Sequence, residues 1–289
     1  MKNIYVIGSI NTDLVINAPY MPQSGETLTG DGFFTAHGGK GANQAVAAAR
    51  LGGNVIMCGC VGDDGFGESA LKALQNDGVN TSYIRVVKDT PTGTAVIVVV
   101  NGDNRIILDK GANGKLTKED IDVALKNAKE GDIYLTQLEN PIEVIGYGLK
   151  KAREKGMFVV LNPAPANVEI EPYLAYCGLV TPNETETELF GGREKLLEKV
   201  STLLVTLGGD GFEIFTKSDR KKYPCIKIKP VDTTAAGDTL CGGLVTYLAE
   251  GKTLEEAAKF GSKAASIACT RKGAQPSIPT RKEVEEWNA

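Results

Sequence analysis

The chain has 289 residues, enough for one large α/β domain with a substantial core. Its formal net charge is −4 and no basic run occurs, which argues against a nucleic-acid partner and against a membrane surface. His37 is the only histidine, so a histidine-based catalytic triad and a multi-histidine metal site are nearly excluded.

The cysteines and the first residues indicate the compartment. Cysteine occurs at six scattered positions, namely Cys58, Cys60, Cys177, Cys225, Cys241 and Cys269. Cys58-Gly59-Cys60 lacks the C-x-x-C spacing of zinc and redox sites, so we expect buried thiols in a reducing cytoplasm. Lys2-Asn3 leads into a strand of about five residues rather than an apolar run of about 20. We therefore expect no signal peptide and no membrane span.

Short apolar runs alternate with helical patterns along the chain. The predicted strands of this kind are Ile4–Gly8, Val55–Cys60, Asp132–Thr136, Phe158–Asn162, Gly178–Thr181 and Leu203–Leu207. The predicted helices include Glu68–Asn76, Lys118–Ala128, Ile142–Lys155, Arg193–Val200, Leu240–Glu250 and Leu254–Thr270. Near-continuous apolar strands separated by helices indicate a mostly parallel sheet that is covered on both faces. We predict a three-layer α/β/α fold, with residues 1–289 as a single domain.

Two segments break this alternation. Asp13–Asn17 with Thr29–Thr35, and Thr94–Val100 with Arg105–Asp109 across the turn at residues 101–104, have the pattern of antiparallel strand pairs. They predict a small sheet outside the main one, built from about 12–36 and 93–110.

A glycine-rich stretch, His37-Gly38-Gly39-Lys40-Gly41-Ala42-Asn43-Gln44, opens a helix that continues through Ala45 to Leu51. Glycines allow the backbone to approach a ligand, while Lys40 and Asn43 supply donors and acceptors for hydroxyl groups. Gln44 stands where a Rossmann fingerprint has its third glycine, so this is not a dinucleotide motif. On its own, the segment is better explained as an ordinary glycine-rich turn before a helix.

Polar residues follow several predicted strands, where ligands bind in open parallel sheets. They are Asn11, Asp13, Glu139, Asn183, Glu186 and the loop Thr206-Leu207-Gly208-Gly209-Asp210-Gly211. Each also has a simpler explanation: a turn at Asn11 and Asp13, a surface charge at Glu139, a helix cap at Asn183 and a hairpin turn at the loop.

The most informative stretch is Asp232-Thr233-Thr234-Ala235-Ala236-Gly237-Asp238-Thr239, which leads into an apolar helix. The start of a helix presents unpaired N–H groups and a positive dipole end, and small side chains let a bulky anion reach them. Asp238 would lie in the first turn, where a carboxylate could take a proton from an attacking hydroxyl. An aspartate that merely caps the helix would leave the same pattern.

These motifs resemble those of a known family. Gly38-Gly39-Lys40-Gly41-Ala42-Asn43 and the stretch from Asp232 to Thr239 are similar to the two signatures of the ribokinase family of carbohydrate kinases, in that family's order. The resemblance extends from the first strand to Lys272–Ser277, and so covers essentially the whole chain.

The resemblance implies transfer of the γ-phosphoryl group of ATP to the 5-hydroxyl of D-ribose. It implies that Asp238 is the base and that the N–H groups of Ala235, Ala236 and Gly237 hold the developing charge. The sugar residues that it implies are Asn11, Asp13, Gly39, Lys40, Asn43, Glu139 and Asp238. The nucleotide residues that it implies are Asn183, Thr206, Leu207, Gly208, Gly209, Asp210, Gly211, Gly237 and Asp238.

The resemblance also implies ions and an assembly. Mg²⁺ would bridge the phosphates, through water near Glu186. An activating K⁺ would lie between Asp232, Thr234, Ala268, Arg271, Gly273 and Ser277. The small sheet would act as a lid over the sugar and as the surface of a homodimer.

Two alternatives remain at this point. One is a kinase for another sugar or nucleoside, such as deoxyribose, fructose or adenosine. The other is a non-catalytic sensor of a sugar or nucleotide on the same fold, although a binding module would not need the base at Asp238.

Overall fold

The computed structural model describes residues 1–287. Its larger sheet contains β1 (Asn3–Ile7), β4 (Asn54–Gly62), β5 (Asn80–Val87), β8 (Ile133–Thr136), β9 (Phe158–Leu161), β10 (Leu179–Val180), β11 (Thr202–Thr206), β12 (Phe212–Thr216) and β13 (Arg220–Tyr223). The spatial order is β13-β12-β11-β10-β9-β8-β1-β4-β5. All neighbours from β11 to β5 pair in parallel, whereas β12 and β13 are added antiparallel at one edge. The predicted mostly parallel sheet is confirmed.

Helices cover both faces of this sheet. They are α1 (Lys40–Arg50), α2 (Gly65–Asn76), α3 (Lys118–Ala124), α4 (Ile142–Glu154), α5 (Glu184–Leu189), α6 (Arg193–Lys199), α7 (Ala236–Ala249), α8 (Leu254–Ala268) and α9 (Arg281–Glu286). Successive residues of β1 enter different cores: Ile4 and Val6 pack with residues of α1, α7 and α8, while Tyr5 and Ile7 pack with residues of α3 and α4. This alternation explains why β1 is apolar throughout. In the described part of the chain, no helix is long and apolar enough to cross a membrane.

A separate small sheet contains β2 (Asn11–Asn17), β3 (Asp31–Gly38), β6 (Gly93–Val100) and β7 (Asp103–Asp109), in the order β3-β2-β6-β7. Both predicted antiparallel pairs form, and they are joined by a parallel ladder between β2 and β6. Strand β3 continues to Gly38, three residues beyond the predicted end, and so leads directly into the glycine-rich start of α1.

Close packing brings the start of α1 to the carboxyl end of β1. A Cβ atom added to Gly41 would lie 2.5 Å from the backbone of Gly8 and Ser9, so only glycine allows this approach. Helix α1 also packs along α7, where Thr246 Oγ1 donates to the carbonyl of Ala48 at 3.2 Å. This contact joins the C-terminal parts of the two helices, while the start of α1 lies at the carboxyl end of β1.

Candidate active site

Helix α7 begins four residues earlier than the apolar pattern predicts, at Ala236. Ala235 precedes it in the left-handed conformation, with φ of 59°, which is costly for a residue other than glycine. Asp238 is therefore the third residue of the helix, in its first turn as predicted, and only 6% of it is exposed.

The carboxylate of Asp238 is held by two amide side chains from α1. Asn43 Nδ2 donates to Oδ2 at 3.0 Å, and Gln44 Nε2 donates to Oδ1 at 2.9 Å. Hydrogen bonds from neutral amides fix the plane of the carboxylate and leave it further lone pairs for an incoming hydroxyl. The Oδ1 atom of Asn43 is buried and has no partner among residues 1–287, so it can accept a hydroxyl of a ligand.

The first turn of α7 offers backbone donors to an anion. The Ala236 N–H donates to the carbonyl of Thr233 at 3.2 Å, so one of the three predicted donors is occupied in this conformation. In the described chain, the N–H groups of Ala235 and Gly237 have no protein acceptor. They remain available for an anion at the positive end of the helix dipole.

A polar cavity of about 220 Å³ lies in front of this turn. It is lined by Lys40, Asn162, Ala164, Thr181, Asn183, Glu186, Thr206, Thr233, Ala235, Ala236, Gly237, Asp238 and Cys241. Burial by itself would lower the pKa of Lys40. Nearby negative charges, chiefly the carboxylates of Asp238 and Glu139, outweigh burial, so the pKa is raised. The ammonium therefore stays protonated beside Asp238, where it can attract an anion.

Glu139 is connected to the start of α1. Its Oε2 atom accepts hydrogen bonds from Ser9 Oγ and from the backbone N–H of Lys40, the latter at 3.1 Å. Gly39, with φ of 88°, precedes Lys40 and takes a backbone conformation that glycine adopts readily. The structure thus brings Gly39, Lys40, Asn43, Glu139 and Asp238 close together.

Asn11 and Asp13 lie at the start of β2. Asn11 Oδ1 accepts from Asn113 Nδ2 at 2.7 Å, which fixes its amide. Burial raises the pKa of Asp13 to about 6, and the charge of Glu139 adds to the effect. A Cβ atom added to Gly38 would lie 2.5 Å from both carboxylate oxygens of Asp13, so the carboxylate occupies the space that glycine leaves.

A second, mainly apolar cavity of about 360 Å³ adjoins the polar one. Thr206, Thr233, Ala236 and Gly237 line both cavities. The apolar walls come from Ile226, Ile228, Pro230, Leu240, Ala265 and neighbouring residues. A ligand with an apolar ring system and an anionic tail would fit the pair of cavities, with the tail at the start of α7.

The predicted nucleotide loop contributes only part of its residues to this cavity. Thr206, Gly208, Gly209 and Gly211 line it, and the loop turns the chain from β11 into the antiparallel β12, so the hairpin explanation also holds. Leu207 and Asp210 are not among the lining residues: Leu207 is buried in the core, and Asp210 is exposed 3.7 Å from Lys227.

Asn183 and Glu186 form a capping box at the start of α5. Asn183 Oδ1 accepts from the N–H of Glu186 at 2.7 Å, and Glu186 Oε2 accepts from the N–H of Asn183 at 2.8 Å. Burial raises the pKa of Glu186, opposed by the Asn183 hydrogen bond and by the charge of Lys40. The cap and the position in the polar cavity coexist, and the other carboxylate oxygen of Glu186 is available for a metal-bound water.

The predicted cation residues are partly brought together. Asp232 Oδ1 accepts from the N–H and the hydroxyl of Thr234 at 2.9 and 2.6 Å, and Oδ2 accepts from the N–H of Gly273 at 2.9 Å. Burial opposes ionisation of Asp232, but these hydrogen bonds outweigh it and lower the pKa. Ser277 donates instead to the Ala274 carbonyl at 2.7 Å within the same C-terminal segment.

The last two cation residues take part in other contacts. The Ala268 carbonyl accepts from the N–H of Arg271 at 3.0 Å. The guanidinium of Arg271 pairs with Glu283, so only its carbonyl could serve a cation. The atoms that these six residues could offer to a cation are all oxygens, which suits a hard monovalent cation.

Four residues at the site lie outside the sequence prediction: Gln44, Asn113, Gln137 and Asn162. Gln44 contacts Asp238, and Asn113 holds Asn11. Gln137 and Asn162 directly follow β8 and β9, so the rule that polar residues after strands form a site also applies to them.

Comparison with known proteins identifies the family. Residues 1–281 match the model of the pfkB family carbohydrate kinases. The chain belongs to this family. It is 41% identical to the ribokinase of Haemophilus influenzae, over 99% of this chain and 98% of that protein, and 41% identical to the ribokinase of Bacillus subtilis, over 99% of each. A deoxyribokinase of Salmonella typhi is 36% identical, over 99% of this chain and 98% of that protein.

Solved structures of the family agree with this assignment. The ribokinase of Thermotoga maritima superposes with a TM-score of 0.88 at 38% identity, over 99% of this chain and 98% of that one. The Arabidopsis thaliana ribokinase, complexed with ribose and ATP, superposes with a TM-score of 0.87 at 32% identity, over the same shares. This pfkB-family chain is thus a carbohydrate kinase with the ribokinase fold.

Proposed function

We propose that the chain is a ribokinase, which phosphorylates D-ribose at the 5-hydroxyl with ATP to give ribose 5-phosphate and ADP. The observation that carries the proposal is the buried carboxylate of Asp238 at the start of α7, between the polar and the apolar cavity. Full-length similarity to several ribokinases supports the same sugar.

In the proposed mechanism, Asp238 accepts the proton of the 5-hydroxyl as the oxygen of that group attacks the γ-phosphorus. The new oxygen–phosphorus bond forms while the bond to the β-phosphate oxygen of ADP breaks. The N–H groups of Ala235 and Gly237, together with Lys40, stabilise charge on the transferring group. Asn11, Asp13, Gly39, Asn43 and Glu139 hold the sugar hydroxyls.

The nucleotide would occupy the apolar cavity, with its phosphates at the start of α7. Thr206, Gly208, Gly209, Gly211 and Asn183 line this path. Leu207 and Asp210 belong to the same loop and would support its shape. Mg²⁺ would neutralise charge on the phosphates when bound. Glu186 fits that role because it lines the polar cavity and one of its carboxylate oxygens has no protein donor in the described chain.

The small sheet would close over the sugar as a lid, because β2 carries Asn11 and Asp13 while β3 leads into Lys40. Closure would exclude water, which otherwise competes as the phosphoryl acceptor. We also propose that the protein is cytoplasmic, since all six of its cysteines are unpaired thiols in the structure.

K⁺ is expected to activate the enzyme without contacting either substrate. The ion would be held by Asp232, Thr234 and Ser277 and by the carbonyls of Ala268, Arg271 and Gly273, next to the loop that starts α7. Ordering of that loop should raise the turnover number by about 5-fold or more, the usual size of coupling between two sites. Turnover measured in K⁺, Na⁺ and choline chloride at equal ionic strength tests this, and equal values in all three contradict it.

We expect the protein to form a homodimer that is joined through the small sheet. Apolar side chains of both edge strands are exposed there, namely Phe33, Phe34, Ile106, Ile107 and Leu108. Such clusters on a soluble protein mark an interface. Light scattering at micromolar concentration should give the mass of a dimer, and Ile107→Lys should give a monomer. Val168→Lys, at an exposed apolar residue outside this sheet, should stay dimeric. A wild-type monomer contradicts the proposal.

One assay tests the substrate. ADP release across a panel of pentoses, hexoses and nucleosides should be highest with ribose. The specific alternative is 2-deoxyribose, because a deoxyribokinase is similar over nearly the full length. Absence of turnover with every compound would favour the non-catalytic sensor instead.

A further inference from the structure

Gln44 is a fully buried amide of α1 that no step of the proposed phosphoryl transfer uses. Its Nε2 donates to Asp238 Oδ1 at 2.9 Å and to Asn162 Oδ1 at 3.0 Å. Its Oε1 accepts from Gln137 Nε2 at 2.6 Å. The donors and the acceptor of this amide are therefore all engaged by buried side chains.

These partners give the amide a single orientation. Rotation by 180° would place Gln44 Oε1 against the oxygens of Asp238 and Asn162, and Nε2 against the amino group of Gln137. Asn162 cannot turn to accommodate it, because its own Nδ2 donates to the Thr181 carbonyl at 2.9 Å. The polarity of the whole chain of amides is therefore fixed.

The network also carries a cost in stability. Gln137 Oε1 is buried without a partner in the described residues, and it packs against Gly8, where an added Cβ atom would lie 2.2 Å away. A buried acceptor without a donor destabilises the folded state, and an apolar core of the same shape would avoid that loss. A network with this defect at the carboxylate of Asp238 points to a role in the reaction.

We infer that Gln44 is a positioning residue for Asp238, and that Gln137 acts by holding the amide of Gln44. Asn43, which also contacts Asp238, belongs to the proposed sugar-binding wall, whereas Gln44 contacts the carboxylate from within the core. Gln44 fixes the rotation of the carboxylate, so that a lone pair stays aligned with the attacking hydroxyl. The inference rests on the proposed function, since it requires Asp238 to be the base.

The variants Gln44→Met and Gln137→Met test it. Gln44→Met keeps the length of the side chain and removes both donors, so kcat should fall by about 10–100-fold, the usual effect of a small misalignment. KM for the sugar should stay within a few-fold of the wild type, because the sugar contacts are intact. Gln137→Met should lower kcat by a smaller factor. Its effect should vanish in the Gln44→Met background, because residues that act through one contact are not additive.

Thr246→Val is the matched control. Thr246 is buried, joins α7 to α1 through the Ala48 carbonyl and lies two turns from Asp238. It should lower the melting temperature and keep kcat. Wild-type kcat in Gln44→Met, or independent and additive effects of the two variants, would overturn the inference. If Gln44→Met does not fold, a wild-type kcat in Gln137→Met would overturn the inference. A wild-type protein that phosphorylates no compound of the panel would instead refute the proposed function.

Discussion

Asp238→Asn is expected to lower turnover by about 10²–10⁴-fold, the usual contribution of a general base. Asparagine keeps the shape of the side chain but cannot take the proton of the sugar hydroxyl. Glu186, the other carboxylate in the lining of the described polar cavity, does not replace it, because Asn183 holds one of its oxygens in the capping box. Turnover is measured as ADP release with ribose, and sugar binding by calorimetry should change little.

Asp132→Asn is a matched control for this experiment. Asp132 is also buried, and its two oxygens accept from the backbone N–H groups of Asn3 and Lys129, each at 2.9 Å. It precedes β8, however, and so lies at the amino ends of the parallel strands, on the side of the sheet opposite to Asp238. This variant should lose stability and keep turnover. Asp238→Asn with turnover within a few-fold of the wild type would remove Asp238 from the role of base.

The sequence predicts the site best where function lies in a short continuous stretch. The residues from Asp232 to Asp238 are neighbours in the chain, so a helix start with backbone donors beside Asp238 follows from local rules, although the helix begins four residues before its apolar pattern. The contact of Gln44 with Asp238 joins residues that are 194 positions apart. It depends on how α1 packs on α7, which no local pattern specifies.

Three strands of the main sheet lie outside the prediction, namely β5, β12 and β13. In β12, the charged Glu213 interrupts the apolar run. Strands β5 and β13 lie at the two edges of the sheet, where β5 is partly exposed and β13 is mostly exposed. A search for continuous apolar runs detects strands that are buried on both faces, and edge strands do not have that pattern. β1, by contrast, is flanked by β8 and β4 and is predicted nearly to its exact bounds.

Asp13→Ala is expected to lower kcat/KM for ribose by roughly 10²–10³-fold, and to lower it far less for 2-deoxyribose. The two carboxylate oxygens of Asp13 can accept the 2- and 3-hydroxyls together. No protein group among residues 1–287 donates a hydrogen bond to them. A closed site built to bond a hydroxyl discriminates against the analogue that lacks it, because a buried acceptor is then left unpaired.

The raised pKa of Asp13 gives this prediction a pH dependence. Burial, with the charge of Glu139, holds the pKa at about 6, and the ionised form accepts hydroxyls better than the protonated form. We therefore expect kcat/KM for ribose to fall as the pH drops below about 6, and this limb to disappear in Asp13→Ala.

The raised pKa of Asp13 has the opposite effect on stability: lower pH, which should reduce kcat/KM, should stabilise the folded protein. The folded state binds the proton of Asp13 more tightly than the unfolded chain does, so the stabilisation from this group is complete below the unfolded value of 3.8 and is lost as the pH rises through about 6. The ionised carboxylate then costs at most about 3 kcal/mol. Asp13→Asn should consequently raise the melting temperature at pH 7 and leave it nearly unchanged at pH 4.

Measurement of kcat/KM for both sugars, in the wild type and in Asp13→Ala, decides the matter. Asp31→Ala is the control, because Asp31 lies at the other end of the β2–β3 pair and bonds only the exposed amide of Asn17 in the described structure. It should leave both values unchanged. A ribose-to-deoxyribose ratio that is the same in the wild type and in Asp13→Ala would show that Asp13 does not select the sugar. A wild type that uses both sugars equally, or prefers 2-deoxyribose, would refute the assignment to ribose, because the carboxylate of Asp13 would then gain nothing from the 2-hydroxyl. The broader assignment to a sugar kinase would still stand.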